Sequence, residues 1–236
     1  MPALTSRGVR AATALLLYGS RMGAASVSGS ARVGRGAPVV LGGIAVAAWI
    51  AVFAGLSRDG AGFAGFVAAW TVMMAAMMLP SASPFILLYH RGATRAATAR
   101  LVAGYLSVWA AVGVAAWVLE AVAMELPASL VLAAAGLYQL TPAKNACLRR
   151  CRTPADFLVE RWRSNAFLLG ADHGRWCLGC CWALMAVLVV VGMMGIGWVV
   201  AVAAIVALEK LSSRGAILAR WSGIALIGLA LWEATS

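Results

Sequence analysis

From residue 38 onward the chain is a succession of apolar runs separated by short polar gaps. A membrane span needs about 20 predominantly apolar residues at ~1.5 Å rise each. Runs near that length fall at 38–56, 63–88, 101–123, 127–146, 178–194, 196–211 and 215–233. This pattern predicts an all-α fold, a polytopic transmembrane helical bundle of six to seven spans. The fourth run is cleanly apolar only from Ala128 to Leu140. Pro142 kinks or ends it, because proline lacks an N–H donor and clashes with the preceding turn. The sixth run is short, and with the fifth it can form one re-entrant unit around Gly195 and Gly197, which gives the lower count.

Composition sharpens the class. Hydrophobic residues make up 63% of the 236 positions and charged residues 11%, so most of the chain is unsuited to water. A formal charge of +11 would point to nucleic acid in a soluble protein, but here its placement matters more than its sum. With a cytoplasmic N-terminus, the loops of the seven-span arrangement put all 19 Lys and Arg residues except Arg58 on the inner side. That satisfies the positive-inside rule, excludes a nucleic-acid partner and places the chain in the inner (plasma) membrane. Residues 1–37, with five arginines among Gly, Ala and Ser, are expected to be a disordered basic cytoplasmic tail, and 38–236 a single transmembrane domain. The apolar piece from Ala11 to Tyr18 is short for a signal-peptide core, and a start codon placed too early would give the same pattern.

All five cysteines lie between Tyr138 and Met185: Cys147, Cys151, Cys177, Cys180 and Cys181. The expected topology puts them in or beside a cytoplasmic loop at 141–177, a reducing environment in which structural disulfides are rare. Cys147 and Cys151 are four apart; Cys177, Cys180 and Cys181 are three and four apart. Each set therefore shares a helical face. Deprotonated thiols on two such faces can close on one soft cation, Cu(I) or Zn²⁺. Neighbouring residues point about 100° apart on a helix, so the expected site is Cys147, Cys151, Cys177 and Cys180, with Cys181 or His173 in reserve. Lys144 is placed to favour a thiolate at Cys147. The competing readings are thiol redox and plain packing of a small hydrophobe.

Soft donors also occur within the spans. Met73 and Met77, like Met74 and Met78, are four apart, so thioethers stripe the second run, where Pro80 and Pro84 free backbone carbonyls. Met185 follows in a second WxxM segment, beginning at Trp182, that echoes Trp70 to Met73, with Met193 and Met194 beyond it. Met73, Met77 and Met185 are further candidate ligands, although methionine is also a common filler of helix interfaces. Glu120 and Glu125 fall near an outer span end. Glu209-Lys210 falls on the cysteine side, either as a solvated helix end or in support of the metal site. The spacer from Thr153 to Arg175 alternates Arg with Phe157, Trp162, Phe167 and Trp176, as a helix lying at the membrane surface would. No G-x-S-x-G, Walker A, HExxH or paired catalytic carboxylate is found, and no catalytic residue is assigned.

The segments WTVMMAAMMLPSASP, YQLTPAKNACLRRCRTP and CLGCCWALM, with Glu209-Lys210, resemble a bacterial family described as predicted metal-binding integral membrane proteins, a domain of unknown function. The resemblance covers roughly Trp70 to Trp232. It implies a membrane-embedded metal binder and strengthens the five cysteines as the site. Two functional classes follow. One handles a soft ion, Cu(I) ahead of Zn, through cytoplasmic-side cysteines for transport, storage or delivery to a metallochaperone or apoprotein. The other is a membrane thiol-disulfide oxidoreductase using Cys177 and Cys180, or a protein of other function with a structural zinc site. Sidedness decides between their environments. Reporter fusions after Arg95 and after Arg161 are expected to behave as cytoplasmic, and periplasmic activity at either would reverse the thiol argument.

Overall fold

The computed structural model describes residues 36–54, 62–123, 126–191 and 196–235, and among these it contains helices and no strand. The tail to residue 35, Arg58, Glu125, Met193, Met194, Gly195 and the side chain of Glu120 lie outside that description. In chain order the helices are α1 Gly36–Phe53, α2 Gly62–His90, α3 Arg95–Ala123 and α4 Ala128–Gln139. There follow α5 Pro142–Arg152, α6 Pro154–Glu160, α7 Ala166–Val191, α8 Ile196–Leu211 and α9 Gly215–Thr235.

Among the described residues, four segments are long and apolar enough to cross a membrane: Gly62–His90, Arg95–Val118, Ala166–Val190 and Gly215–Thr235. The expected six to seven spans are therefore not supported by helix length. Apolar helices also form at Ala37–Phe53 and Ala128–Gln139, but these are shorter, and α8 has 16 residues. The fourth run stops where Pro142 required it to stop. Thr141 accepts a hydrogen bond from the Lys144 N–H at 3.2 Å and Pro142 opens the new helix α5, the usual chemistry of a helix start.

The segment 141–177, expected as a cytoplasmic loop with a surface helix in it, is helical over most of its length, with a break at 161–165. α5 and α6 are followed by the first turns of α7, which begins at Ala166. Asn165 caps that helix, its Oδ1 accepting from the N–H groups of Phe167 and Leu168 at 3.0 and 3.3 Å. His173 and Gly174 thus lie within a continuous helix that also bears Cys177, Cys180 and Cys181. Phe157 turns inward and meets Phe85 edge-on at 5.5 Å, so it is buried in the protein instead of lying on a surface face, whereas Trp162 is exposed. The prolines of α2 are accommodated locally. Pro84 cannot donate to the Pro80 carbonyl, and the Ser83 hydroxyl does so at 2.8 Å, as serine commonly does in broken apolar helices.

The tightest helix pair is α3 with α7, which cross through glycine. A Cβ on Gly104 would overlap the Phe167 carbonyl, and one on Gly170 would overlap that of Leu101. α4 and α9 meet in the same way: a Cβ on Gly136 would fall 2.7 Å from the Gly223 carbonyl oxygen. Small residues at a crossing let the two helix backbones approach closely. α7 also packs on α4, α5 and α8, and α2 packs on α3 and α8. Trp109, Tyr105, Leu101, Leu169, Met74 and Met78 are fully buried between these helices.

Gly104→Ala or Gly170→Ala is expected to destabilise the fold by at least the ~1–3 kcal/mol typical of overpacking. Gly42→Ala, where nothing lies within 4 Å, should be neutral or gain up to about 1 kcal/mol from helix propensity. Thermal unfolding of the detergent-solubilised protein separates the two behaviours.

Candidate metal centre

Cys177, Cys180 and Cys181 occupy one turn of α7. Helical side chains incline toward the N-terminus of their helix, and the Cys180 and Cys181 thiols both donate back to the Cys177 carbonyl, at 3.1 and 3.0 Å. Shared use of that carbonyl overcomes the angular divergence expected of neighbouring residues. The three sulfurs lie within 4.8 Å of one another, all buried. Adjacent Cys180 and Cys181 therefore belong to one cluster, and Cys181 is no outlying reserve.

The other cysteines approach from α5. The Cys151 thiol donates to the Cys180 sulfur at 3.8 Å. Cys147 packs over the backbone at Gly179, where a Cβ would sit 2.7 Å from its sulfur; glycine is what leaves room for that thiol. Both are half-buried and, like the other three, free thiols. Neither joins the group of mutually close sulfurs. Hydrogen bonds to Cys177 and Cys180 push the Cys151 thiol well above its ordinary value. At Cys147 burial, together with the neighbouring Cys180, outweighs Lys144 and Arg150 and also pushes the thiol up. Lys144 therefore does not produce the thiolate expected of it there.

Lys144 is occupied elsewhere. It is fully buried, pairs with Glu209 Oε2 at 2.6 Å and donates to the Cys180 carbonyl. Glu209 Oε1 accepts from Gln139 Nε2 and Ser222 Oγ, each at 2.9 Å. The next residue, Lys210, donates to the Cys177 sulfur at 2.9 Å, to Ser81 Oγ at 3.4 Å and to Met78 Sδ at 3.6 Å. Tyr105 Oη lies 2.9 Å from the same Cys177 sulfur, and Tyr138 Oη donates to the Gly179 carbonyl at 2.6 Å. Glu209-Lys210 is thus no solvated helix end: both residues are buried, the first tied to α5 and the second to the cysteine cluster.

His173 stands apart from the sulfurs. It is buried, stacked 3.9 Å from Phe85 at 13° and flanked edge-on by Phe157. Its Nδ1 has no partner, and it is outside the three-sulfur group. Met73, Met77 and Met185 are buried core residues. The thioether hydrogen-bonded into the site is that of Met78. Tyr105, Ser81 and Gln139 were not singled out from sequence, although a polar residue inside an apolar run is a usable signal.

Three clustered thiols suit a soft ion. Cu(I) accepts a small number of sulfur ligands, whereas structural zinc asks for four ligands in a tetrahedron. A family model described as copper chaperone, PpoB2, matches residues 67–233. The chain belongs to the PpoB2 copper chaperone family. No curated protein and no solved structure matches it. The matched PpoB2 region takes in α2 from residue 67, the cysteine cluster and Glu209-Lys210, and omits α1 and the tail. Membership in this family directs the chemistry of the cluster toward metal, and toward copper in particular.

Glu209→Ala would leave the Lys144 ammonium buried and unpaired, which typically costs ~3–5 kcal/mol. Adding Lys144→Met is expected to recover a large part of that loss. Unfolding of the two single variants and the double variant in one detergent measures the coupling; strict additivity would mean that the pair is not coupled.

Proposed function

We propose that this protein spans the plasma membrane and handles Cu(I) as cargo, held by Cys177, Cys180 and Cys181 and delivered to an acceptor apoprotein or metallochaperone. The observation that carries the reading is the set of three buried sulfurs within 4.8 Å on a single helical turn, in a chain of the copper chaperone family. Cys151 and Cys147, less buried and on the adjoining helix, pass the ion to the cluster. The protonated thiols favoured at these two positions bind weakly until metal displaces the proton, which suits ligands that must release what they take.

The membrane placement rests on four spans of sufficient length and on outward apolar side chains such as Ile50, Trp221 and Leu231. Exposed apolar surface of that kind needs a cover, and lipid supplies it. Residues 1–37 serve as a cytoplasmic basic tail to the single domain at 38–236, with the thiols on the cytoplasmic side.

Elemental analysis of the protein purified under reducing conditions tests the reading. Copper is expected in the unmutated chain and lost in Cys177→Ser, while Cys147→Ser keeps it in equilibrium binding. Full copper in a variant with both Cys177→Ser and Cys181→Ser would reject the cluster as the site. Absence of metal together with a reversible Cys151–Cys180 disulfide would favour thiol exchange, for which the 3.8 Å separation of these sulfurs is the supporting observation. Zinc retained with four cysteines would mark a structural site.

A further inference from the structure

Lys210 is bonded in a way unusual for an ammonium. An ammonium has three N–H donors and no acceptor, and here the acceptors are Cys177 Sγ, Ser81 Oγ and Met78 Sδ. Two of the three are sulfurs, one from α7 and one from α2. Lysine prefers oxygen acceptors and water, and a strongly hydrated point charge gives up much on burial. A thiolate with a thioether is, by contrast, a donor pair suited to a soft monovalent metal. The place filled by this ammonium is therefore a cation site whose donors match copper better than they match nitrogen.

The same place adjoins the buried methionines of α2. Met78 is fully buried, as is Met74 one turn before it, and residues four apart share a helical face. Met73 and Met77 form the neighbouring row, also buried. A cation between Cys177 and Met78 would touch the cysteine cluster on one side and the start of the thioether stripe on the other.

We propose that Lys210 keeps the place of a second Cu(I) position, formed by Cys177 Sγ and Met78 Sδ, through which cargo passes from the cysteine cluster to the methionines of α2. This rests on the copper-handling reading of the cluster and adds a transfer step to it. The step is an exchange of cations. Cu(I) forms coordinate bonds to the Cys177 thiolate and the Met78 thioether, while the Lys210 ammonium leaves with all its protons and its stem turns toward the nearby end of α8. Copper stays Cu(I), and no electron is transferred. One positive charge replaces another, so the buried charge is unchanged. A divalent ion would add a charge in a medium that solvates it poorly, so Zn²⁺ is disfavoured at this position even where the cysteines accept it.

Selenium in place of methionine sulfur reports the contact directly. The full chain, grown with selenomethionine and loaded with Cu(I) in detergent under reducing conditions, is examined by X-ray absorption at the selenium edge. A copper–selenium contact is expected in the unmutated sequence. It should strengthen in Lys210→Ala, where bound copper rises by about one ion per chain because the competing cation is gone. Met78→Leu, a volume-conserving change, should abolish the contact while copper persists on the cysteines. Copper bound with no copper–selenium contact in either the unmutated chain or Lys210→Ala overturns the second position and leaves the cluster reading intact. A contact that survives Met78→Leu also overturns it. Failure to bind any copper removes both readings. Zinc loaded in place of copper should give no zinc–selenium contact, and its appearance would overturn the one-for-one exchange.

Discussion

Two ammonium groups are buried in an apolar bundle, and each must find its acceptors inside the protein, because burial of an unpaired charge costs several kcal/mol. Lys144 uses Glu209 and the Cys180 carbonyl; Lys210 uses sulfur and a serine hydroxyl. Glu209 and Lys210 are consecutive, so α8 supplies an anion to α5 and a cation to α7 within one step of its backbone. Gln139 and Ser222 take the remaining oxygen of Glu209 and draw α4 and α9 into the same network. The helices around the cysteines are therefore tied by buried polar contacts that tolerate little displacement.

Backbone proximity sets the other half of the geometry. The glycine crossing of α3 and α7 brings Tyr105, one residue after Gly104, to within 2.9 Å of the Cys177 sulfur, and Gly174 lies against the Tyr105 carbonyl. A larger residue at either crossing would separate the phenol from the thiol before it disturbed any cysteine. Gly179 acts similarly for Cys147. The glycines within and beside the cysteine motif are packing residues of the site, which the spacing of the cysteines alone does not reveal.

What could be read from sequence follows from how local each feature is. Helical class, the break at Pro142 and the concentration of thiols in one stretch depend on nearby residues, and each is visible in the pattern. The alternation of Arg with aromatic residues over 153–175 makes helix legible there, but it does not show that the stretch from Ala166 runs without a break into the cysteine turn, with Asn165 as its cap and Asp172 and His173 buried. Angular position alone separates neighbouring Cys180 and Cys181, and the inclination of side chains along the helix, with both thiols on the Cys177 carbonyl, brings them together. Tyr105, Met78 and Gln139 depend on partners far away in sequence. Lys144 was noticed as a charge near Cys147, but its partner, Glu209, lies on another helix.

The sulfurs form a gradient of burial and of chemical character. Cys147 and Cys151 are half-buried thiols held in their protonated range by surroundings and hydrogen bonds. Cys177, Cys180 and Cys181 are buried beside a fixed positive charge, and the methionines of α2 are buried and neutral. A soft ion moving along that series would meet ligands that first must lose a proton, then ligands already facing a cation, then ligands with no charge at all. Neutral thioethers bind more weakly than thiolates, so the last of these positions is suited to release. A tetrahedral structural site has no use for such a series, because it closes four ligands around the metal at once. The uneven character of the five cysteines, and the methionine joined to them through Lys210, fit the proposed transfer of copper better than a site that holds its metal permanently.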